Sequence, residues 1–304
     1  MRLVFAGTPD AAVPTLRALH EVHEIMAVIT RPDAPLGRKR VLTASPVAAA
    51  ADELGLPVIK AARLDDEVTA RIMALKPELG VIVAYGGLVR EPLLSAPTAG
   101  WINLHFSVLP AWRGAAPVQR ALIAGEQELG ASVFQLVAEL DAGDVFATQT
   151  TPIPPEATAG EALALLAMSG AALTRTVVAG IAAGTAHARA QRGESSYAAK
   201  LGLDDGRLDW QEPAAAIWAR FRGVTPEPGA FTTWGGQTLK VLAAAPGPDG
   251  LALAPGEISP LAGGVAVGTG DGTLTLTRVQ PAGKAAMAAG DWWRGQRGDG
   301  RLGA

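Results

Sequence analysis

The run Leu79-Gly80-Val81-Ile82-Val83-Ala84 has no polar residue at either alternate position, and this constrains the fold more than any other feature of the chain. Successive side chains of a strand point to opposite faces, so such a strand has to be covered on both sides. Sheets buried on both faces are parallel sheets enclosed by helices. Leu3 to Ala6 and Ile25 to Ile29 are apolar runs of the same kind, Pro57 to Ile59 is a shorter one, and helix-like segments separate them. Gly7-Thr8-Pro9 closes the first run and leaves Asp10 placed to cap a helix reaching about His20. Ser45 before Pro46 sets an N-cap residue against proline at the first helical position, which predicts a helix to about Leu54. Asp65 to Leu75 reads as another helix. This alternation predicts an α/β domain with a parallel-rich sheet.

The second half changes character. Thr158-Ala159-Gly160-Glu161 is a capping box and starts a helix that extends to about Ala183. Beyond Gly184 the periodicity is lost, and Gln191-Arg192-Gly193-Glu194-Ser195-Ser196 is polar without a repeat. Residues 1–186 are therefore expected to form one domain, 187–206 a linker and 207–304 a second domain, in keeping with a length of 304 residues. After a helix near Pro213 to Arg222, short apolar runs such as Thr238 to Leu242, Gly264 to Val267 and Leu274 to Leu276 lie between glycine and proline turns. Strands without intervening helices suggest a small barrel or sandwich.

Several classes of function are excluded or made unattractive. The chain has no cysteine, so disulfides, thiolate metal sites and a cysteine nucleophile are ruled out. His20, His23, His105 and His187 show no metal-binding spacing, and no metal is expected. Gly7-Thr8-Pro9-Asp10 lacks the three-glycine spacing of a dinucleotide fingerprint. The most apolar stretch, Leu163 to Ala183, contains Arg175 within an amphipathic surround and is not expected to span a membrane. Met1 to Gly7 reads as a first strand rather than a signal peptide. A cytoplasmic monomer is the expectation. A net charge of −3 argues against a surface coated for nonspecific nucleic-acid binding. Residues 31–40 nevertheless hold four positive charges and one negative in a segment broken by proline and glycine, which reads as a basic loop.

Candidate chemistry concentrates at Asn103, His105 and Asp141. Asn103 and His105 are two apart on the apolar run Trp101 to His105, so a strand would present both on one face. Gly100 precedes this run and Pro110 follows it, as expected of a buried strand whose carboxyl end feeds a loop. An amide, an imidazole and a carboxylate can together stabilise an oxyanion and handle a proton, which suits acyl transfer. The same three residues also fit a blander account: a satisfied core histidine, an asparagine bonding its own backbone, and an aspartate in a turn.

Along nearly its whole length the chain resembles the methionyl-tRNA formyltransferases. The resemblance rests on Phe5-Ala6-Gly7-Thr8-Pro9-Asp10, Ser45-Pro46-Val47, Val83-Ala84-Tyr85-Gly86, Asn103 to Pro110, Trp112 to Arg120 and Leu140-Asp141-Ala142-Gly143-Asp144. Further on it includes Tyr197-Ala198-Ala199-Lys200, Arg207-Leu208-Asp209-Trp210 and Gln280-Pro281-Ala282-Gly283-Lys284. It implies a Rossmann-like amino-terminal domain and an OB-like carboxy-terminal one. The implied reaction moves a formyl group from 10-formyltetrahydrofolate to the α-amino group of methionine on initiator methionyl-tRNA. On this resemblance Asn103 and His105 donate to the oxyanion and Asp141 lies beside His105. Ser107, Val108, Leu109 and Pro110 form a wall of the tetrahydrofolate site, with Tyr85, Gly86 and Gly87 lining the pterin pocket. Arg38, Lys39 and Arg40 in the basic loop, with Lys284, are expected to meet the tRNA. Residues 207–304 hold nine Lys and Arg against eight Asp and Glu, a net charge of only +1.

The chain departs from the family pattern at Phe106, Gly87 and Glu227, and at Ala285-Ala286 after Lys284. Two rival readings use the same residues. A formyltransferase acting on a small amine would share the Asn-His-Asp core but would need neither the basic loop nor the second domain. A noncatalytic RNA-binding protein would tolerate loss of the three site residues, and all three are present.

Overall fold

A computed structural model of the chain describes residues 1–37, 40–296 and 300–303. The elements of the first half are β1 (Arg2–Gly7), α1 (Val13–His20), β2 (Glu24–Thr30), β3 (Ala34–Leu36), β4 (Val41–Thr43), α2 (Pro46–Glu53), β5 (Val58–Lys60), α3 (Asp66–Ala74), β6 (Leu79–Val83), β7 (Trp101–His105), β8 (Arg113–Gly114), α4 (Pro117–Ile123), β9 (Glu128–Gln135) and β10 (Val145–Pro152). Those that follow are α5 (Ala159–Ala182), β11 (Tyr197–Ala198), α6 (Ala214–Gly223), β12 (Ala230–Trp234), β13 (Gln237–Pro246), β14 (Ile258–Leu261), β15 (Gly264–Gly268), β16 (Thr273–Pro281), β17 (Met287–Ala288) and α7 (Ala289–Arg294). They form two compact units. One comprises Met1–Pro117, Glu128–Pro152 and Leu163–Ala198, the other Val118–Gln127, Ile153–Ala162 and Ala199–Ala304.

The first unit is built on a seven-stranded sheet in the order β10-β9-β7-β6-β1-β2-β5. The pairs β7·β6, β6·β1, β1·β2 and β2·β5 are parallel, whereas β9 runs antiparallel to β7 and β10 antiparallel to β9. Every residue of β6 is buried, as its unbroken apolar run requires. Leu3, Val4, Phe5 and Ala6 of β1 are completely buried at the centre of the sheet. Capping follows the sequence at Ser45, whose Oγ accepts from the Ala48 N–H at the start of α2; Asp65, read as the first residue of a helix, is instead the cap of α3, its Oδ1 accepting from the Val68 N–H. Asp10 behaves differently. It opens a short 3-10 turn, Asp10–Ala12, and α1 begins only after it, with no side-chain cap.

Two further segments depart from expectation. The stretch read as a basic loop contains a hairpin, with Ala34 opposite Thr43, Pro35 opposite Leu42 and Leu36 opposite Val41. Its six strand residues are all exposed, so neither apolar alternation nor burial marked it in the sequence. The polar stretch after α5 is also ordered by pairing. Arg189 bridges Val145 in both directions, and β11 pairs in parallel with β8. This strap carries no periodic pattern because its backbone bonds, rather than an apolar face, hold it in place.

Among the described residues α5 is the one helix long and apolar enough to cross a membrane by length and composition. It is a core helix here. Leu166, Ala167, Ala171, Val177 and Val178 are buried, and at Gly170 the helix comes so close to β7 that a Cβ would lie 2.9 Å from the Leu104 side chain.

The second unit has a six-stranded antiparallel sheet in the order β12-β13-β16-β15-β14, with β17 added to β16. It is the OB-like domain. Gly235 and Gly236 join β12 to β13 with positive φ at both residues, the geometry of a tight hairpin that matches strand twist. Leu208, Trp210, Ile217, Phe221, Val241, Leu276 and Trp292 lie in its core, and the Trp210 indole N–H donates to Thr232 Oγ1 at 2.9 Å.

Candidate active site

From β1 the sheet steps outward through β2 and β5 on one side and through β6 and β7 on the other. Where a parallel sheet reverses its order, the loops at the carboxyl ends of the strands part and leave a crevice for ligands. A cavity of about 510 Å³ opens there, lined by Ile82 and Tyr85 to Val89 after β6, Asn103 to Phe106 on and after β7, and Leu136 to Asp141 after β9. A larger cavity of about 1030 Å³ in the second unit has only Asp249 and Asp271 as charged lining groups and offers no comparable set of donors and bases.

The structure brings Asn103, His105 and Asp141 to this one cavity. Asn103 and His105 share a face of β7, as their spacing predicts. Asp141 reaches them from the loop after β9, and its φ of 47° is left-handed. Ala84 (φ 47°) and Trp112 (φ 60°) beside the same site are left-handed too. A non-glycine residue held in this region costs on the order of 1–3 kcal/mol and persists where the surroundings fix it, as at functional sites.

His105 is almost fully buried, and its Nε2 lies 2.9 Å from the Trp112 carbonyl oxygen. A carbonyl can only accept, so Nε2 carries the proton of the neutral ring and Nδ1 carries the lone pair. Burial lowers the His105 pKa below its ordinary value, against the opposing pull of the Asp141 carboxylate and the Trp112 carbonyl. The imidazole is therefore neutral at neutral pH. Its Nδ1 lies 3.8 Å from Asp141 Oδ2, too far for a hydrogen bond. Oδ2 accepts instead from the Gly114 backbone N–H at 2.8 Å. Asp141 thus acts on His105 as a fixed negative charge, strongest once the ring takes a second proton. The ring edge meets Phe134 at a centroid distance of 6.3 Å, which limits its rotation.

Asn103 supplies the complementary feature. Its Oδ1 is buried and has no hydrogen-bond partner. Leaving a buried polar atom unpaired costs about 1–3 kcal/mol, so this amide is poised for a ligand's polar atoms.

The other expected site residues divide. Tyr85, Gly86 and Gly87 line the cavity. Tyr85 turns its ring into the core, where its OH donates to the Ala61 carbonyl at 3.0 Å and burial raises its pKa, so it offers the cavity backbone rather than a phenol. Ser107, Val108, Leu109 and Pro110 are not among the lining residues. Ser107 Oγ donates to the Ala111 carbonyl, Ser132 Oγ donates to the Ser107 carbonyl at 2.7 Å, and the Leu109 N–H donates to Ser132 Oγ at 3.1 Å. This turn is fastened to β9, and Val108 is its one substantially exposed apolar side chain. Arg38 and Lys39 lie outside the described residues. Arg40 is exposed just before β4 with φ 50°, and Lys284 is exposed in the turn between β16 and β17 of the second unit.

Sequence reasoning missed four supports: Trp112, Gly114, Ser132 and Gln191. Gln191 Nε2 donates to the carbonyls of Asp141 (2.8 Å) and Gly143 (2.9 Å), while its Oε1 accepts from Arg113 Nη2 at 2.7 Å. Gln191 comes from the strap read as a linker, and all four act through or upon backbone atoms. No residue pattern announces that.

The amino-terminal residues 1–177 match the family model described as formyl transferase, and residues 200–297 match that of the formyl transferase C-terminal domain. A methionyl-tRNA formyltransferase of Leifsonia xyli subsp. xyli is 58% identical over 98% of this chain and 99% of its own. That of Clavibacter sepedonicus is also 58% identical, over 97% of each chain. Among solved structures, the N-formyltransferase of Helicobacter canadensis in complex with folinic acid and dTDP-3-aminofucose superposes with a TM-score of 0.71 at 17% identity, covering 92% of this chain and 98% of that one.

Proposed function

The chain belongs to the methionyl-tRNA formyltransferase family, and from that premise we propose that Asn103, His105 and Asp141 carry its reaction, with 10-formyltetrahydrofolate as donor and the α-amino group of initiator methionyl-tRNA as acceptor. The protein is a formyl-transfer enzyme acting on methionyl-tRNA, and its formyl donor is a folate derivative. The observation that carries the residue assignment is the unpaired Asn103 Oδ1 sharing a cavity with the bare Nδ1 of a neutral His105.

In this reading the amine attacks the formyl carbon and the carbonyl oxygen becomes an oxyanion. Asn103 Nδ2 donates to that oxygen, and its Oδ1 accepts an N–H from the amine, which satisfies the buried atom. The sequence suggests that His105 also donates to the oxyanion, but its one ring proton is engaged by Trp112. His105 instead takes the proton lost by the amine on Nδ1. The resulting imidazolium is held by Asp141 on one side and the Trp112 carbonyl on the other, and it returns a proton to the folate nitrogen as the carbon–nitrogen bond breaks. The products are N-formylmethionyl-tRNA and tetrahydrofolate, and no metal is needed for any step.

The pterin lies against the backbone of Tyr85, Gly86 and Gly87. The Ser107 to Pro110 turn serves the folate site mainly by fixing β7, with Val108 available to an extended ligand. Arg38, Lys39, Arg40 and Lys284 meet tRNA phosphates, and the enzyme works as a cytoplasmic monomer. The deciding measurement is transfer of labelled formyl from 10-formyltetrahydrofolate to charged initiator tRNA, with His105→Ala as control. The unaltered protein transfers label and the variant is severely impaired; unchanged transfer by the variant would show that the chemistry has been assigned to the wrong residues.

A further inference from the structure

We propose that Ser196, in the strap after α5, is a positioning residue that keeps the ring proton of His105 on Nε2 by fixing the Trp112–Arg113 peptide. This rests on the reading of His105 Nδ1 as the base and names what holds that nitrogen bare. Trp112 has a left-handed φ of 60°, a conformation that a tryptophan keeps only where its surroundings hold it. Ser196 holds it from both sides. The Trp112 N–H donates to Ser196 Oγ at 2.8 Å, and the Arg113 N–H donates to the Ser196 carbonyl at 2.9 Å. These N–H groups belong to the two peptide planes that meet at the Trp112 Cα, so one residue of the strap sets their relative rotation.

The second bond acts directly on the imidazole. The Arg113 N–H and the Trp112 carbonyl are the two ends of one planar trans peptide and point in opposite directions. With the N–H tied to Ser196, the carbonyl faces away from the strap, and His105 Nε2 lies 2.9 Å from its oxygen. The bond from Arg113 N–H to Ser196 and the bond from His105 N–H to Trp112 thus run in series through one peptide and polarise each other.

The Trp112 carbonyl works against a competitor. Asp141 Oδ2 lies 3.8 Å from Nδ1, and a modest shift would let a proton on Nδ1 donate to it. A ring protonated there has no lone pair on Nδ1 to take the proton of the amine. The Gly114 N–H, next along the chain, donates to the same Oδ2 at 2.8 Å, so consecutive residues of one pinned segment orient the imidazole and the carboxylate together. The Ala198 carbonyl fastens the end of this segment, accepting from the Ala115 and Ala116 N–H groups at 3.0 and 3.2 Å. Such backbone bonds survive a substitution in the strap; the Ser196 hydroxyl bond does not. Ser196 is exposed, so Ser196→Ala removes one oxygen without opening a cavity in the core.

The test sets Ser196→Ala and Ser196→Thr beside the unaltered protein and reads two quantities. One is kcat for formyl transfer to methionyl-tRNA. The other is ring-nitrogen NMR of labelled histidine, in which the His105 signals are those missing from His105→Ala. Ser196→Ala loses roughly two- to tenfold in kcat, the scale of one hydrogen bond. Its His105 signals move from the Nε2-protonated pattern toward a mixture of tautomers. Ser196→Thr keeps the hydroxyl and retains both the rate and the pattern. Tetrahydrofolate affinity is unchanged in each variant, which shows that the folate site is intact. Unchanged kcat in Ser196→Ala, or a lower kcat with the ring proton still on Nε2, overturns the proposal. Failure of the underlying base reading shows separately, as undiminished transfer by His105→Ala, a measurement that involves no change at Ser196.

Discussion

In the proposed reaction Asn103 and His105 divide the work at the level of single groups. The histidine proton is spent on Trp112, so the amide of Asn103 stands as the main donor toward the developing oxyanion. Removal of one such donor costs about 2.7–4 kcal/mol of barrier, a hundred- to thousandfold in kcat. Asn103→Ala therefore loses that much kcat in steady-state formylation, while tetrahydrofolate binding changes far less. His105 makes a pH prediction whose sign follows from burial. Its pKa is lowered in the folded protein, so the neutral base persists through neutral pH, and kcat/KM stays flat until the pH falls below the ordinary imidazole value of about 6.5. The same shift contributes stability above that value and loses it as the pH falls, because the unfolded chain then binds the proton first. A kcat/KM profile that declines between pH 8 and 7 would contradict the neutral-base assignment.

At the scale of elements, the strap from 189 to 198 is the part whose role is hardest to infer. Gln191 joins three backbone or side-chain groups across it, two of them carbonyls at Asp141 and Gly143. Gln191→Ala leaves the left-handed Asp141 loop without its brace, and the predicted outcome is a fall in kcat of about tenfold, corresponding to about 1.4 kcal/mol. Far-ultraviolet circular dichroism should be unchanged, and Gln191→Glu should restore little, since a carboxylate cannot donate to those carbonyls. Much else was legible. The apolar run of β6, the cap at Ser45 and the capping box at Thr158 announced their elements because burial and capping act through side chains. Thr158 and Glu161 do exchange hydrogen bonds at the start of α5. The exposed paired strands 34–36 and 41–43 and the strap were not legible, since both are fixed by main-chain pairing that leaves no compositional trace. In the site, the placing of Asn103 and His105 on one face of β7 could be read from their spacing. The tautomer of His105 could not, because it depends on a carbonyl seven residues away.

For the molecule as a whole, recognition of a large substrate cannot rest on a general field. The net charge is −3 for the full chain, so attraction to tRNA has to come from local clusters. The basic segment before β4 is the densest one in the sequence. Replacing Arg38, Lys39 and Arg40 together with Ala is predicted to weaken tRNA binding and to flatten the dependence of log Kd on log salt by about two to three counterions. Tetrahydrofolate affinity should remain within twofold. A filter-binding series across salt decides this, and an unaltered slope would remove the segment from tRNA contact.

The strap also bears on what counts as the smallest working enzyme. A chain ending with α5 would keep Asn103, His105 and Asp141 and all seven strands of the sheet. It would nevertheless lack the Gln191 amide on the Asp141 loop, the Ser196 contacts to Trp112 and Arg113 and the β11 pairing to β8. In such a fragment the histidine and aspartate would be loosely set. On the proposed assignment, competence for transfer is completed by a stretch of chain that contributes no reacting atom and lies last in the unit.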